Sequence, residues 1–127
     1  MSDEETCKIK VDVVTSYIKD QSKPEKDYYV FSYTITISNE GPVAARLLAR
    51  HWVITDANNR TQEVQGDGVV GEQPRLQPGE NFQYTSGTML ETPVGTMHGT
   101  YHMVLDSGLR FDAEIPKFTL SMPRTLH

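Results

Sequence analysis

The sequence predicts an all-β fold, a two-sheet antiparallel sandwich of about seven or eight strands. Three observations carry this expectation. Apolar and polar residues alternate with a period of two through most of the chain, so each run offers one apolar and one polar face. Clusters of Gly, Pro, Asn and Asp separate the runs at short intervals. No helical segment stands between them, as it would in a parallel α/β sheet.

The first run, 7–18, alternates Ile9, Val11 and Val13 with Lys8, Lys10 and Asp12. The charged stretch 22–27, with Pro24, ends it. The second, 28–39, sets Phe31, Tyr33, Ile35 and Ile37 against Ser32, Thr34, Thr36 and Ser38, and Asn39-Glu40-Gly41-Pro42 closes it as a turn. The third, 45–55, begins in AARLLAR, where helix propensity competes. A stretch that short, following a Gly-Pro turn and running into His51, Trp52, Val53 and Ile54, yields to strand pairing. Trp52 and Ile54 are expected to share a core face with Leu48. A turn at 56–60 leads to a fourth strand at 61–65. The fifth is expected at 81–86, and the sixth at 97–105 with Tyr101, Met103 and Leu105 on one face. In the last, 109–120, Leu109, Phe111, Ala113 and Ile115 alternate with Arg110, Asp112 and Glu114, and Pro116 is a point of interruption. Asp106-Ser107-Gly108 joins these two as a short hairpin loop. The chain, 1–127, is expected to be one domain without internal repeats.

At 37% hydrophobic and 23% charged, the composition is that of an ordinary globular protein. A formal net charge of −5, with 12 scattered basic residues, argues against nucleic acid or anionic lipid as a partner. Cys7 is the only cysteine, which excludes an intrachain disulfide and a cysteine-based zinc site. It is expected to be an inert, half-buried thiol. No run approaches the roughly 18 apolar residues of a membrane helix, and the N-terminus, MSDEETCK, is acidic where a secretion signal is basic. The expected compartment is the cytoplasm.

The longest interruption of the strand pattern is 66–80, and loops beyond about 12 residues in compact domains are often functional. It opens with Gly66-Asp67-Gly68-Val69-Val70-Gly71, a G-x-G-x-x-G pattern. In dinucleotide-binding proteins these glycines lead into a helix whose N-terminus faces the pyrophosphate. Here Pro74 and Pro78 follow and forbid that helix, so no nucleotide cofactor, and no other cofactor, is expected. Backbone N–H groups of the glycines could instead form a nest for phosphate or pyrophosphate, with Arg75 adding a charge. Asp67 and Glu72 oppose an anion there, and they lack the closely spaced oxygens of a magnesium or calcium loop. The plain alternative is that the three glycines supply positive φ or close backbone approach.

Other constellations are weaker. His98 and His102 fall on one strand face about 13 Å apart, too far for one metal with ligands about 2 Å away. His51 approaches either only if its strand is a neighbour, and His127 is terminal. No metal site is expected. Thr85 and Ser86, beside Gly87, have no recognisable base held by a third group, so no catalytic residue is assigned.

Over a longer span the chain resembles the ApaG family. The resemblance is carried by 66–74 with Leu76 and Pro78-Gly79-Glu80, by Phe82 with Tyr84-Thr85-Ser86-Gly87, and by Thr92-Pro93 with Gly95, Met97, Gly99, Tyr101 and Met103. It extends through Arg50-His51-Trp52 and 33–40, and so covers nearly all of the chain. It implies a sandwich of the fibronectin-type-III or immunoglobulin-like kind. Bacterial members are associated with cobalt resistance and magnesium efflux, without a known reaction. Relatives of the domain are appended to eukaryotic F-box proteins and to a DNA-polymerase-delta-interacting protein, where they look like interaction modules. The resemblance brings no catalytic residue with it. The expected function is therefore a noncatalytic interaction module for an unidentified protein partner, with Gly66, Gly68, Gly71, Arg75 and Tyr84 as contacts. The alternative is a sensor of phosphate or pyrophosphate at the glycine loop, linked to divalent-cation homeostasis. A remoter one is an enzyme acting on phosphate esters.

Overall fold

In the computed structural model, which describes residues 7–123, the alternating runs become eight strands: β1 (Ile9–Tyr17), β2 (Tyr29–Asn39), β3 (Ala45–Asp56), β4 (Thr61–Asp67), β5 (Arg75–Leu76), β6 (Asn81–Leu90), β7 (Val94–Leu105) and β8 (Arg110–Ser121). One antiparallel sheet has the order β1-β2-β6. The other runs β4-β3-β7-β8, with the short β5 also paired to β3. Among the described residues the only helical segments are two 3-10 turns, Lys19–Gln21 and Pro24–Lys26, and no helix is long and apolar enough to cross a membrane.

The core lies between the sheets because the period-two alternation sends large side chains inward. In β2, Phe31, Tyr33, Ile35 and Ile37 are buried while Ser32, Thr34, Thr36 and Ser38 lie on the opposite face. Trp52, Met97, Tyr101, Met103 and Leu120 come from the facing sheet. Trp52 is tilted against Tyr33 at 5.4 Å and meets Tyr101 and Phe118 edge-on at 6.4 and 5.9 Å, arrangements that the ring quadrupole favours.

Two bulges reset which residues face inward. The register of β3 against β7 slips between Leu47 and Ala49, so Ala45 and Leu47 are buried before the slip and Trp52 and Ile54 after it. Leu48 therefore does not share the core face of Trp52 and Ile54. It is the extra residue of the bulge, and Leu47 takes the core place. In β8, Gly99 pairs with Ile115 but Met97 pairs with Phe118. Pro116 and Lys117 form the bulge between them, so the proline's missing N–H falls where the ladder is already interrupted, and the strand continues to Ser121.

Segment 66–80 is more ordered than its composition predicts. Strand β4 runs through Asp67, Val69 bridges Glu72, and β5 pairs with Ala45 and Arg46. Strands β6 and β7 also extend beyond 81–86 and 97–105, nearly to meet at the turn around Thr92. Cys7 is half-buried.

The two flanks of the sandwich differ. Strand β1 packs beside β8 and closes one of them. On the other, β4 and β6 are the outermost strands of their sheets, and a groove runs between them.

Candidate functional site

The glycine segment forms one end of that groove. Gly66 sits in β4 opposite Arg50 of β3, and the Arg50 guanidinium lies across it. A Cβ at Gly66 would come within 2.8 Å of Nη1. Nη1 itself donates to the carbonyls of Asp67 and Gly68 at 3.0 and 2.9 Å. Gly68 has φ +61°, donates its N–H to the Leu48 carbonyl at 2.8 Å, and leaves no room for a side chain, since a Cβ would sit 2.3 Å from the Glu72 carbonyl oxygen. Val69 and Glu72 then exchange two 2.8 Å backbone bonds around Val70 and Gly71, whose φ values are 44° and 81°. Positive φ at both central positions is the pattern of a primed two-residue hairpin. A β-branched residue in that region is a genuine outlier, and Val70 is exposed. The N–H groups of Val69 and Glu72 are thus bonded inside the hairpin, and that of Gly68 is bonded to β3.

The other two expected contact residues lie elsewhere. Arg75, on β5, donates Nε to Asp106 Oδ1 at 3.0 Å and Nη2 to Oδ2. That hydrogen-bonded pairing raises the guanidinium pKa above its ordinary value and lowers that of the Asp106 carboxyl, so the Arg75 charge is matched at the surface. Tyr84 is not a surface contact. It pairs with Ile35 in the β2–β6 register and points into the core. Its hydroxyl shares a 2.5 Å hydrogen bond with that of Tyr101 from the opposite sheet. Burial pushes both phenols well above their ordinary pKa.

The groove brings in residues outside the expected contact set. A cavity of about 320 Å³ beside Arg50 is lined by Tyr33, Trp52, Val64, Ser86 and Thr88. It adjoins a second of about 210 Å³ lined by Met89 and Leu90, and Ile54 and Gln62 belong to both. Arg60 donates to Glu91 at 2.7 Å at the far end. Arg50 is half-buried, and among the described residues no ion pair involves it. Its positive charge opposes the rise in both Tyr84 and Tyr101. The sequence signal for Arg50 was its even-numbered place with Trp52 and Ile54, which sends it inward, but only the register reveals the glycine opposite.

The histidines share the outer face of the larger sheet, because β3 and β7 are neighbours and His51 pairs with Thr100. His102 Nδ1 lies 2.7 Å from Asp112 Oδ1. His51 Nε2 is buried without a hydrogen-bond partner, 3.6 Å from Glu63 Oε1. Among the described residues no group of three His, Cys, Asp or Glu side chains could hold a metal ion. His127 lies outside the described residues. Thr85 Oγ1 is 2.8 Å from Thr34 Oγ1, a hydroxyl and not a base.

Known proteins match this chain over most of its length. The family model of the ApaG domain matches residues 19–105. Protein ApaG of Azoarcus sp. (strain BH72) is 62% identical over 127 residues, covering 100% of each chain. Protein ApaG of Thiobacillus denitrificans (strain ATCC 25259 / T1) is 60% identical over the same 127 residues, again 100% of each chain. The crystal structure of the ApaA protein from Bordetella pertussis has a TM-score of 0.90 at 52% identity, covering 93% of this chain and 96% of that one. A domain match from β2 through β7, end-to-end relatives and a shared fold agree: the chain belongs to the ApaG family.

Proposed function

We propose that the chain is a noncatalytic interaction module that engages a protein partner along its open flank, between β4 and β6. The observation that carries this reading is the pair of outermost strands with a groove between them, on the one flank that β1 and β8 do not close. An outer strand presents backbone N–H and C=O groups along its free edge, and adding a partner's strand to such an edge is a recurrent mode of recognition. Gly66, Gly68 and Gly71 shape the end of the groove by admitting Arg50 and the tight hairpin. A role in divalent-cation homeostasis, including cobalt resistance, would then be exerted through the partner, and the single Cys7 fits a reducing cytoplasm.

Photocrosslinking tests this. A photoreactive residue in place of Gln65 on β4 or Met89 on β6 is expected to give a discrete adduct in bacterial lysate. The same residue in place of Val14, exposed on β1 of the closed flank, is expected to give none. No adduct from the open flank, or equal adducts from both flanks, would count against the module.

Phosphate or pyrophosphate at the glycine loop is the weaker reading. The N–H groups of Val69 and Glu72 are bonded to each other's carbonyls, that of Gly68 is bonded to Leu48, and Arg75 is held by Asp106. Amide shifts of 66–75 are expected to stay unmoved by millimolar pyrophosphate or ATP, and saturable shifts confined there would favour the sensor.

A further inference from the structure

Resting on the open-flank reading, we infer that the groove selects an extended peptide bearing a carboxylate side chain, added as a strand to β4 with the acid opposite Gly66 and an apolar residue two positions away, opposite Val64. Backbone geometry identifies the free edge. Gly68 N–H bonds the Leu48 carbonyl and Asp56 N–H bonds the Arg60 carbonyl, which fixes the alternation along the β3–β4 ladder. Gly66, Val64 and Gln62 thus bond inward to β3, while Glu63 and Gln65 direct their backbone groups to the free edge. A strand bonded there places residues opposite Gly66 and Val64 in non-hydrogen-bonded pairs, where side chains approach closest.

The inward face next to that edge has a definite chemistry. Over Gly66 lies the Arg50 guanidinium, its Nη1 fixed by two carbonyls and its Nη2 3.0 Å from where a Cβ would stand. Among the described residues no acceptor is bonded to Nη2 or Nε of Arg50, whereas Arg60 and Arg75 each hold a carboxylate. A half-buried guanidinium with a fixed plane and no counter-charge is matched by a carboxylate, which can take two of its donors. Because Gly66 has no side chain, nothing on β4 stands between that guanidinium and an acid on the next strand. Two residues along, Val64, Trp52 and Ile54 line the cavity together and suit an apolar side chain. The net charge of −5 disfavours a polyanion, so a single acid in an otherwise apolar and neutral segment fits best.

A second copy of the chain does not meet this requirement. The inward residues of β4 are Gln62, Val64 and Gly66, and its acids, Glu63 and Asp67, project to the other face. The inward positions of β6, from Phe82 to Thr88, carry no acid either.

Panning a displayed library of random decapeptides against the full chain tests the inference. The enriched sequences are expected to carry Asp or Glu two positions from an aliphatic residue, and to shift the amides of Glu63 and Gln65. Changing the acid of an enriched peptide to its amide is expected to weaken binding about tenfold or more, as for a lost charged hydrogen bond. With Arg50→Gln, the acid and amide peptides are expected to bind equally. The acid-to-amide comparison on the unaltered protein stands even if that variant fails to fold. Enrichment without an acid, equal binding of both peptides to the unaltered protein, no enrichment, or a dimer that Gln65→Pro dissociates would each overturn the inference. Failure of the module itself is read separately, from the photocrosslinking comparison.

Discussion

Replacing Tyr101 by Phe deletes one hydroxyl from the hydrogen bond that links the sheets, and the penalty falls on the hydroxyl left behind. Tyr101 is fully buried, Tyr84 is 7% exposed, and their oxygens are 2.5 Å apart. A buried donor stripped of its partner costs about 1–3 kcal/mol, whereas replacing both partners with apolar groups of the same shape is nearly neutral. Tyr84→Phe and Tyr101→Phe together are therefore expected to destabilise by less than the sum of the single changes, with a coupling of about 1 kcal/mol or more. With an unfolding entropy of about 2.1 cal/mol/K per residue over 127 residues, each 1 kcal/mol is worth about 4 °C in Tm. The same pair sets an alkaline limit. Burial holds both folded pKa values above the ordinary 10.0, so the contribution of the neutral phenols is complete below about pH 10 and is lost as pH rises. Above that point the unfolded chain releases two protons that the folded one keeps, and stability falls by about 2.7 kcal/mol per pH unit. Urea titrations of the wild type, both single variants and the double variant between pH 7 and 11.5 measure both effects. Additive single changes, or a double variant that loses stability with pH as steeply as the wild type, would refute the reasoning.

Trp52→Ala is expected to destabilise by about 3–5 kcal/mol, read from urea unfolding, because the ring is 2% exposed and packed on three aromatic neighbours. Gly71→Ala should lose only the left-handed backbone term of about 1–2 kcal/mol, since nothing lies within 4 Å of its would-be Cβ. Gly68→Ala should lose clearly more, because its Cβ meets the Glu72 carbonyl, and equal urea midpoints for the two variants would contradict the hairpin geometry. Asp106 has its folded pKa lowered, chiefly by the Arg75 hydrogen bond, so its contribution is present above its ordinary 3.8 and is lost as pH falls through the lower folded value. Asp106→Asn is accordingly expected to flatten the fall in Tm on the acid side, and parallel pH profiles would argue against the pair.

The strands were legible because their alternation is strong. From Phe31 to Ser38 in β2 every second residue is a large apolar group and every other one a Ser or Thr, so one register alone buries a core. The bulge in β3 was not legible. Ala44, Ala45, Leu47, Leu48 and Ala49 lack polar contrast, and either parity buries comparable surface until pairing with β7 selects Leu47. Tyr84 misled for a related reason: it stands among Gln83, Thr85 and Ser86, and the partner that satisfies its hydroxyl lies on another sheet. The glycines correctly marked a special backbone, but the Gly68 N–H is used up by a Leu48 carbonyl that only the fold brings near, and those of Val69 and Glu72 by each other's carbonyls. Arg50 was hidden because its importance rests on what faces it across the ladder.

The closed flank also determines how the sandwich can be joined to other chains. Strands β1 and β8 are the first and last of the sandwich and lie side by side, away from the groove. A polypeptide fused ahead of β1 or behind β8 leaves from the side opposite the groove. Tandem copies on one chain could each keep a groove clear and, on the proposed role, hold a separate segment of a repetitive partner. Their combined hold would then exceed that of any one copy through effective concentration alone, with spacing set by the linker and no new contact required.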